Sequence, residues 1–193
     1  EVYGDPKESP QSESYWGNVN PVGPRSMNDE SKRFAEAATQ AYITEYSVNA
    51  SIIRIFNTYG PNMQLDDGRV VTNFIVQALG NEDITIYGNG QQTRSFSYIE
   101  DTVNGLLKAL YYKKPDIFNI GNDNEITILE LAQIILKLTN SKSKIVNNPL
   151  PKDDPMQRRP DLNKSQSILG YKTQVDLEEG LVKTINWVKQ TRG

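Results

Sequence analysis

Neither cysteine nor histidine occurs among the 193 residues of the chain. The lack of cysteine excludes disulfide bonds and thiol nucleophiles, and the lack of histidine excludes Ser-His-Asp triads. Without either residue type, zinc sites built from Cys and His ligands are excluded as well. Proton transfer would therefore have to use Tyr, Lys, Asp, Glu or Arg side chains. The absence of cysteine also suits a reducing compartment.

Long apolar runs and basic clusters are lacking too. No stretch is apolar over the length needed to span a bilayer, and no signal peptide is visible. The 21 basic and 24 acidic residues give a net charge of −3, and no basic stripe indicates nucleic-acid binding. A phosphorylated ligand would therefore have to be bound by a few local arginines. With 37% hydrophobic residues, the chain can bury the core of one domain, or of one domain and part of another.

Helical and strand patterns alternate along the chain, which predicts an α/β fold with a parallel sheet. The predicted helices are 27–46, 70–79, 99–112, 127–138 and 177–190, and the predicted strands are 51–56, 84–87, 95–98, 117–120 and 144–146. Thr127 is the expected N-cap of the fourth helix, and Asp101 lies in the first turn of the third, where the helix dipole favours an acid. Two long loops, 10–24 and 147–160, are of the length that often carries function.

Several short motifs carry polar side chains suited to a ligand site. They are EVYG at 1–4, NPVGPR at 20–25, NDESK at 28–32, RIFNTYGP at 54–61 with DGR at 67–69, YGNGQQTRSF at 87–96 and DDPMQRRPD at 153–161. Together these motifs resemble the C-terminal portion of extended short-chain dehydrogenases/reductases, most closely the UDP-glucuronic acid decarboxylase family. Single motifs are shared with sugar-nucleotide dehydratases and epimerases, whereas the combination is specific.

The resemblance implies a partial Rossmann-type parallel sheet with a small α/β substrate-binding lobe. Residues 1–67 would be the C-terminal part of the NAD-binding domain. Residues 68–193 would mainly bind a UDP-sugar, with some segments returning to the sheet. A Gly-rich cofactor fingerprint would precede Glu1, and none occurs in the chain, so NAD binding is expected of the intact enzyme and hardly of this chain alone. The resemblance also implies a homodimer built on the helix with Lys32.

In this family, UDP-glucuronate is oxidised at C4 by NAD⁺, loses CO₂ as a β-keto acid, and is reduced to UDP-xylose. A Tyr four residues before a Lys transfers the C4 proton, because the Lys charge lowers the pKa of the Tyr. Here the Lys is Lys32, but Asn28 occupies the Tyr position. A carboxamide cannot act as a phenolate, and loss of a general base costs on the order of 10²–10⁴ in rate. The chain is therefore expected to be impaired or inactive.

The resemblance assigns roles to further residues. Glu1 would assist proton transfer near the sugar carboxylate, and Arg158 would contact the diphosphate or sugar and donate a proton after decarboxylation. Thr58 and Arg69, with Lys32, would contact the cofactor. The substrate-binding residues would be Asn57, Tyr87, Gln92, Arg94 and Arg158. Arg94 and Arg158 suit a diphosphate clamp, because the planar guanidinium group binds oxygens in a bidentate way.

Each assignment has a structural alternative. Asn28 suits a helix start by its capping preference, Glu1 and Arg69 could be solvated surface charges, and Asn57 could form a turn. The arginines could form ion pairs with the nearby acids, which are Asp153, Asp154 and Asp161. Asp153 and Asp154 are not expected to hold a metal, because adjacent carboxylates point apart in an extended loop.

Two aromatic features and two other functions complete the predictions. Trp16 is expected to pack against the body of the domain, and the face with Phe34, Ala38 and Tyr42 to serve either a dimer or the core. A nucleotide-sugar 4,6-dehydratase or 4-epimerase is an alternative function. Another is a non-catalytic nucleotide-sugar-binding module, which Asn28 favours.

Overall fold

The computed structural model describes residues 1–151 and 154–192, and within them helices and strands alternate. The helices are α1 (Ser26–Tyr46), α2 (Val70–Gly80), α3 (Ile99–Tyr111), α4 (Ile128–Thr139), α5 (Asn163–Leu169) and α6 (Leu177–Arg192). The strands are β1 (Ser51–Ile55), β2 (Thr58–Tyr59), β3 (Ile84–Tyr87), β4 (Thr93–Ser95), β5 (Ser97–Tyr98), β6 (Asp116–Ile120), β7 (Glu125–Thr127), β8 (Ile145–Asn148) and β9 (Gln157–Arg158). The predicted α/β class is confirmed.

Strand pairing is mainly parallel. β1 pairs with β6, β2 with β5, and β3 with β8, each in parallel. Parallel neighbours need a crossover connection, and α3, which lies between β1 and β6 in sequence, packs against both strands. β4 is the exception, because it pairs antiparallel with β7 on one side and parallel with β9 on the other. β4 thereby joins the middle of the chain to the second long loop, which contains β9.

The main core lies between α2, α4, α6 and β3. Its fully buried side chains include Phe74, Ile75, Leu131, Ile135 and Leu181, and each such side chain stabilises the fold by about 1.5–3 kcal/mol. The helical spacing of the apolar residues in α4 predicted this burial. The predicted cap of α4 is confirmed as well, because the side chains of its N-cap Thr and of the Glu three residues on form a capping box.

A smaller core holds α3 against the β1–β6 pair. Ile120, Leu162 and Tyr171 are buried there, and the Tyr171 hydroxyl donates to the Gly121 carbonyl at 2.7 Å. Gly105 in α3 allows this close packing, since a Cβ at that position would lie 2.7 Å from Cγ2 of Ile120. The cluster fixes the segment after β9 beside the end of the parallel pair.

Some sequence-based expectations were incomplete. Asp101 does lie in the first turn of α3, but its buried carboxylate accepts backbone N–H groups of Gln174 and Val175 at 3.0 and 3.1 Å. It therefore anchors a loop as well as facing the helix dipole. The predicted strand 95–98 is divided between β4 and β5, and α5, β2, β7 and β9 were not predicted.

Two expectations were wrong. α1 begins at Ser26 with Arg25 as its N-cap, so Asn28 is the third helical residue and does not cap the helix. Trp16 is 87% exposed rather than packed against the domain, because its loop is fixed by other contacts, among them a hydrogen bond from Arg33 to the Trp16 carbonyl at 2.7 Å.

The apolar side chains of α1 do not belong to the core that the structure describes. Phe34 and Tyr42 are 74% and 61% exposed, and Asp29 is the buried residue of this helix. Of the two roles predicted for this face, the described core is therefore excluded. Within residues 1–151 and 154–192, no helix combines the length and apolar character needed to cross a membrane.

Candidate functional site

A large cavity of about 910 Å³ collects most of the predicted site residues. Its volume is in the range of small-molecule sites, which is roughly 300–1,000 Å³. Nine of the ten predicted residues line it: Glu1, Lys32, Asn57, Thr58, Arg69, Tyr87, Gln92, Arg94 and Arg158. The tenth, Asn28, is exposed on α1 and lies outside this lining as the described residues define it.

Strand register explains how two arginines distant in sequence meet in the cavity. Arg94 on β4 and Arg158 on β9 are direct partners in the parallel pair of these strands. Side chains at matched positions of neighbouring strands lie on the same face of a sheet. The pairing therefore brings the two predicted diphosphate ligands to adjacent positions.

Five alternating charges form a continuous chain at this place, which we call the charged cluster. Glu1 lies between two arginines, with Oε2 2.8 Å from Arg158 Nη1 and Oε1 3.3 Å from Arg25 Nη2. Asp154 lies between two as well, with Oδ2 3.2 Å from Arg94 Nη2 and Oδ1 3.6 Å from Arg25 Nη1. Arg25 thus joins the two halves of the cluster.

The cluster shifts the ionisation of its members. Partial burial of the Glu1 carboxyl opposes ionisation, but the positive charges of Arg158 and Arg25 hold its pKa below the ordinary value. Burial lowers the pKa of the Arg94 guanidinium, and nearby Arg158 and Arg25 lower it further, while Asp154 opposes them. Glu1 is accordingly a carboxylate at neutral pH, and positive charge is crowded around Arg94.

The turn after β3 is fixed from within. The buried Gln92 side chain donates a hydrogen bond to the Tyr87 carbonyl at 2.6 Å. This contact holds the end of β3 beside the start of β4, and the Tyr87 side chain is left half-exposed at the cavity. Gln92 therefore fixes the backbone at Tyr87, at the end of the cavity where the nucleotide is predicted to bind.

The residues predicted to contact the cofactor differ in how firmly they are held. The Thr58 hydroxyl donates to the Phe56 carbonyl at 3.0 Å and lies 2.9 Å from the Thr102 hydroxyl. Lys32 is exposed on α1 and lines the cavity. Arg69 is a mostly exposed N-cap residue of α2 and pairs with Asp67 at 3.0 Å.

A polar network in the wall of the cavity was not predicted. Arg54 on β1 makes two hydrogen bonds to the Glu36 carboxylate, at 2.7 and 2.8 Å, and donates to the buried Tyr3 hydroxyl at 2.9 Å. The Tyr3 hydroxyl donates in turn to Asn119 at 2.8 Å. The signal was an arginine within the apolar strand SIIRI, because a buried arginine needs a partner. The network ties the EVYG segment to α1, β1 and β6.

Metal binding has no support among the described residues, where no group of three or more acidic side chains is placed to hold an ion. Of the acidic pair considered for a metal, Asp153 lies outside the described residues, and Asp154 contacts arginines. The candidate site is thus a cavity whose lining includes Arg94 and Arg158, paired with the carboxylates of Asp154 and Glu1.

Comparison with known proteins extends these observations. The family model described as GDP-mannose 4,6 dehydratase matches residues 1–184. A UDP-glucuronic acid decarboxylase 1 of Danio rerio is 51% identical over 187 residues, which cover 97% of this chain and 45% of that protein. A UDP-glucuronic acid decarboxylase 3 of Arabidopsis thaliana is 49% identical over 181 residues, 94% of this chain and 53% of that protein. The chain spans about half the length of these curated relatives.

Solved structures share the fold. A UDP-glucose 4-epimerase from Thermotoga maritima, solved with UDP-glucose, has a TM-score of 0.89 and 27% identity, covering 100% of this chain and 61% of that one. A UDP-glucuronic acid 4-epimerase from Bacillus cereus, solved with UDP-glucuronic acid and NAD, has a TM-score of 0.84 and 28% identity, covering 98% and 59%. A dTDP-glucose 4,6-dehydratase from Streptomyces venezuelae, solved with NAD, has a TM-score of 0.87 and 25% identity, covering 100% and 58%.

Proposed function

The chain belongs to the GDP-mannose 4,6-dehydratase family, and on that premise we propose that it forms the nucleotide-sugar-binding part of a UDP-glucuronate decarboxylase. The observation that carries the proposal is the meeting of Glu1, Arg94 and Arg158 in one cavity. The identity of about half the residues to UDP-glucuronic acid decarboxylases supports the choice of sugar.

In this proposal, the two register partners Arg94 and Arg158 bind the diphosphate of the UDP-sugar. Their planar guanidinium groups suit phosphate oxygens, and the crowding of positive charge around Arg94 favours a dianionic ligand. The uracil would lie at the end of β3 near Tyr87, and Asn57 would contact the sugar. Glu1, kept ionised by its arginine neighbours, would accept a proton or a hydrogen bond near the sugar carboxylate.

The cavity fits the nicotinamide end of an NAD molecule. Lys32 and Thr58 line it, and Lys32, exposed and positively charged, would hold the nicotinamide ribose. The chemistry that bound NAD would supply is reversible hydride transfer at C4 of the sugar. The chain contains no Gly-rich phosphate loop, so its own residues do not fit the cofactor pyrophosphate.

Asn28 limits the proposed activity. It stands four residues before Lys32 on α1, where spacing i, i+4 places two side chains on one helical face. A carboxamide cannot remove the C4 proton, so we expect slow turnover. This residue favours a second candidate function, a non-catalytic module that binds nucleotide sugars. A 4-epimerase or 4,6-dehydratase is a further alternative, favoured by the solved structures that share the fold.

Product analysis of the Asn28→Tyr variant tests the proposal. The whole protein that contains this chain would be incubated with UDP-glucuronate and NAD⁺, and UDP-xylose and CO₂ would be measured. Because a general base contributes on the order of 10²–10⁴ in rate, the variant should form UDP-xylose faster by about that factor.

Asn28→Phe is the matched control, since it adds an aromatic ring without a hydroxyl, and it should give no gain. A C4 epimer or a 4-keto-6-deoxy sugar would identify one of the alternative enzymes, and no turnover in any variant would favour the binding module.

We also propose a homodimer and two functional parts. The exposed apolar face of α1 would pack against the same helix of a second copy. Residues 1–67 would belong to the cofactor side and residues 68–193 mainly to the sugar side. Both parts contribute to the cavity, with Lys32 from the first and Arg94 from the second.

A further inference from the structure

The Asp154 carboxylate lies where the proposed diphosphate would have to bind. It lines the cavity and is paired with Nη2 of Arg94 at 3.2 Å. Nη1 of Arg94 already donates to the Thr93 carbonyl at 2.8 Å. Nη1 of Arg94 is thus bonded to the backbone, and the Asp154 carboxylate occupies Nη2, a donor that a phosphate would use.

The charged cluster has more donors than acceptors. Its three guanidinium groups face two carboxylates, which leaves one positive charge over. Nε of Arg25 and Nη2 of Arg158 are buried without a hydrogen-bond partner in the described part of the chain. Buried donors of this kind are costly when unpaired, so the cluster as it stands is short of negative charge.

We propose that Asp154 is an internal competitor for the anion site, and that Arg25 is the third arginine of that site. The inference rests on the proposed function, because it requires a ligand diphosphate in this cavity. Each phosphate of such a ligand carries a negative charge. With Asp154 displaced, the diphosphate and Glu1 balance the three arginines, whereas with Asp154 retained one negative charge would be left over.

The distances indicate which carboxylate yields. Charge-assisted hydrogen bonds of good geometry measure about 2.7–2.9 Å. Glu1 meets this with 2.8 Å to Arg158, whereas the contacts of Asp154 to Arg94 and Arg25 are longer, at 3.2 and 3.6 Å. Asp154 is therefore held less firmly than Glu1, and a ligand anion would replace it first. Arg25, released from Asp154, would keep Glu1 in place and turn its free donor to the phosphate.

Calorimetric titration of the whole protein with UDP tests the proposal. Asp154→Asn removes the competing charge and keeps the size of the side chain, so it should bind UDP about tenfold tighter, the change expected for one charge-assisted contact. Asp83→Asn is the matched control, because it removes the same charge from the exposed turn before β3. It should leave the affinity for UDP within about twofold of the original protein. Uridine, which lacks the diphosphate, should bind equally well to all three proteins.

Two further variants define the site. Arg25→Met should weaken UDP binding by about tenfold. In the background of Arg94→Met, the Asp154→Asn substitution should give a smaller gain, since only the longer contact of Asp154 with Arg25 is left to compete. Unchanged or weaker UDP binding by Asp154→Asn, or an equal gain for uridine, would overturn the inference and leave the proposed function standing. If neither the original protein nor Asp154→Asn binds UDP, the proposed function fails together with the inference.

Discussion

Glu1 is a carboxylate held between two guanidinium groups, and its ionisation contributes to stability. Arginine neighbours keep its pKa below the ordinary value despite burial. A depressed pKa adds stability that is fully present above the unfolded-state pKa and is lost as the pH falls through the folded-state value. The contribution of Glu1 should therefore be present at neutral pH and disappear in acid.

Thermal unfolding at several pH values measures this contribution. Between pH 7 and about pH 3, below the ordinary Glu pKa, the original protein should lose more stability than Glu1→Gln, which has no charge to lose. Glu82→Gln, at an exposed position before β3, is the control and should follow the original protein. Equal losses in Glu1→Gln and the original protein would show that the pair with Arg158 does not stabilise the fold.

The sequence showed the residue types of the site better than their contacts. Arg94 and Arg158 were expected together from the resemblance, and the structure adds the reason, which is their register in neighbouring strands. Arg25 was noted only as part of a motif. Its partner Asp154 lies 129 residues further along the chain, and no local pattern in the sequence reveals that the two side chains pair. The prediction for Trp16 was wrong because the large apolar area of a Trp side chain favours burial in general, whereas this one is exposed on its loop.

At the scale of elements, α1 is a helix whose large apolar side chains lie outside the core of the described part of the chain. Phe34 and Tyr42 are exposed there, and the Tyr42 and Tyr46 rings are 5.4 Å apart between centroids. Large contiguous patches of exposed apolar surface mark protein–protein interaction sites. A second copy of the chain is the proposed partner, as the resemblance implies.

Analytical ultracentrifugation tests this pairing. Phe34→Glu places a charge in the middle of the proposed interface, so it should shift a dimer toward monomer by at least about tenfold in the dissociation constant, since burying an unpaired charge is costly. Leu110→Glu is the matched control, because Leu110 is a comparably exposed apolar residue, on α3. A dimer that withstands Phe34→Glu as well as Leu110→Glu would contradict the assignment of α1 to the interface.

Long periodic elements were predicted well and short ones were not. α4 shows its apolar spacing and its capping residues in sequence, and the structure confirms both. β7, β4 and β9 have two or three residues each, too few for any periodicity to show. Their pairing depends on contacts between distant segments, so the sheet that positions Arg94 and Arg158 could not be derived from local patterns.

At the scale of the whole molecule, the candidate site is assembled from segments spread over the chain. Glu1 lies before α1, Lys32 on α1, Arg94 on β4 and Arg158 on β9, and all four line one cavity. The α/β class was evident from the alternation of patterns, whereas the meeting of these segments depends on the parallel crossovers and on the tie between Tyr3, Arg54 and Asn119. The division at residue 67 stays a prediction.

Calorimetric titration with UDP-glucuronate tests whether this cavity binds that nucleotide sugar through its arginines. The original protein should bind, and Arg158→Ala should bind about tenfold more weakly or worse, as expected for loss of a charge-assisted contact. Arg159→Ala removes the same charge at the next residue, which is not part of the charged cluster, and should bind nearly as well as the original protein. Unchanged affinity in Arg158→Ala, or equal losses in both variants, would show that Arg158 does not bind the nucleotide sugar in this cavity.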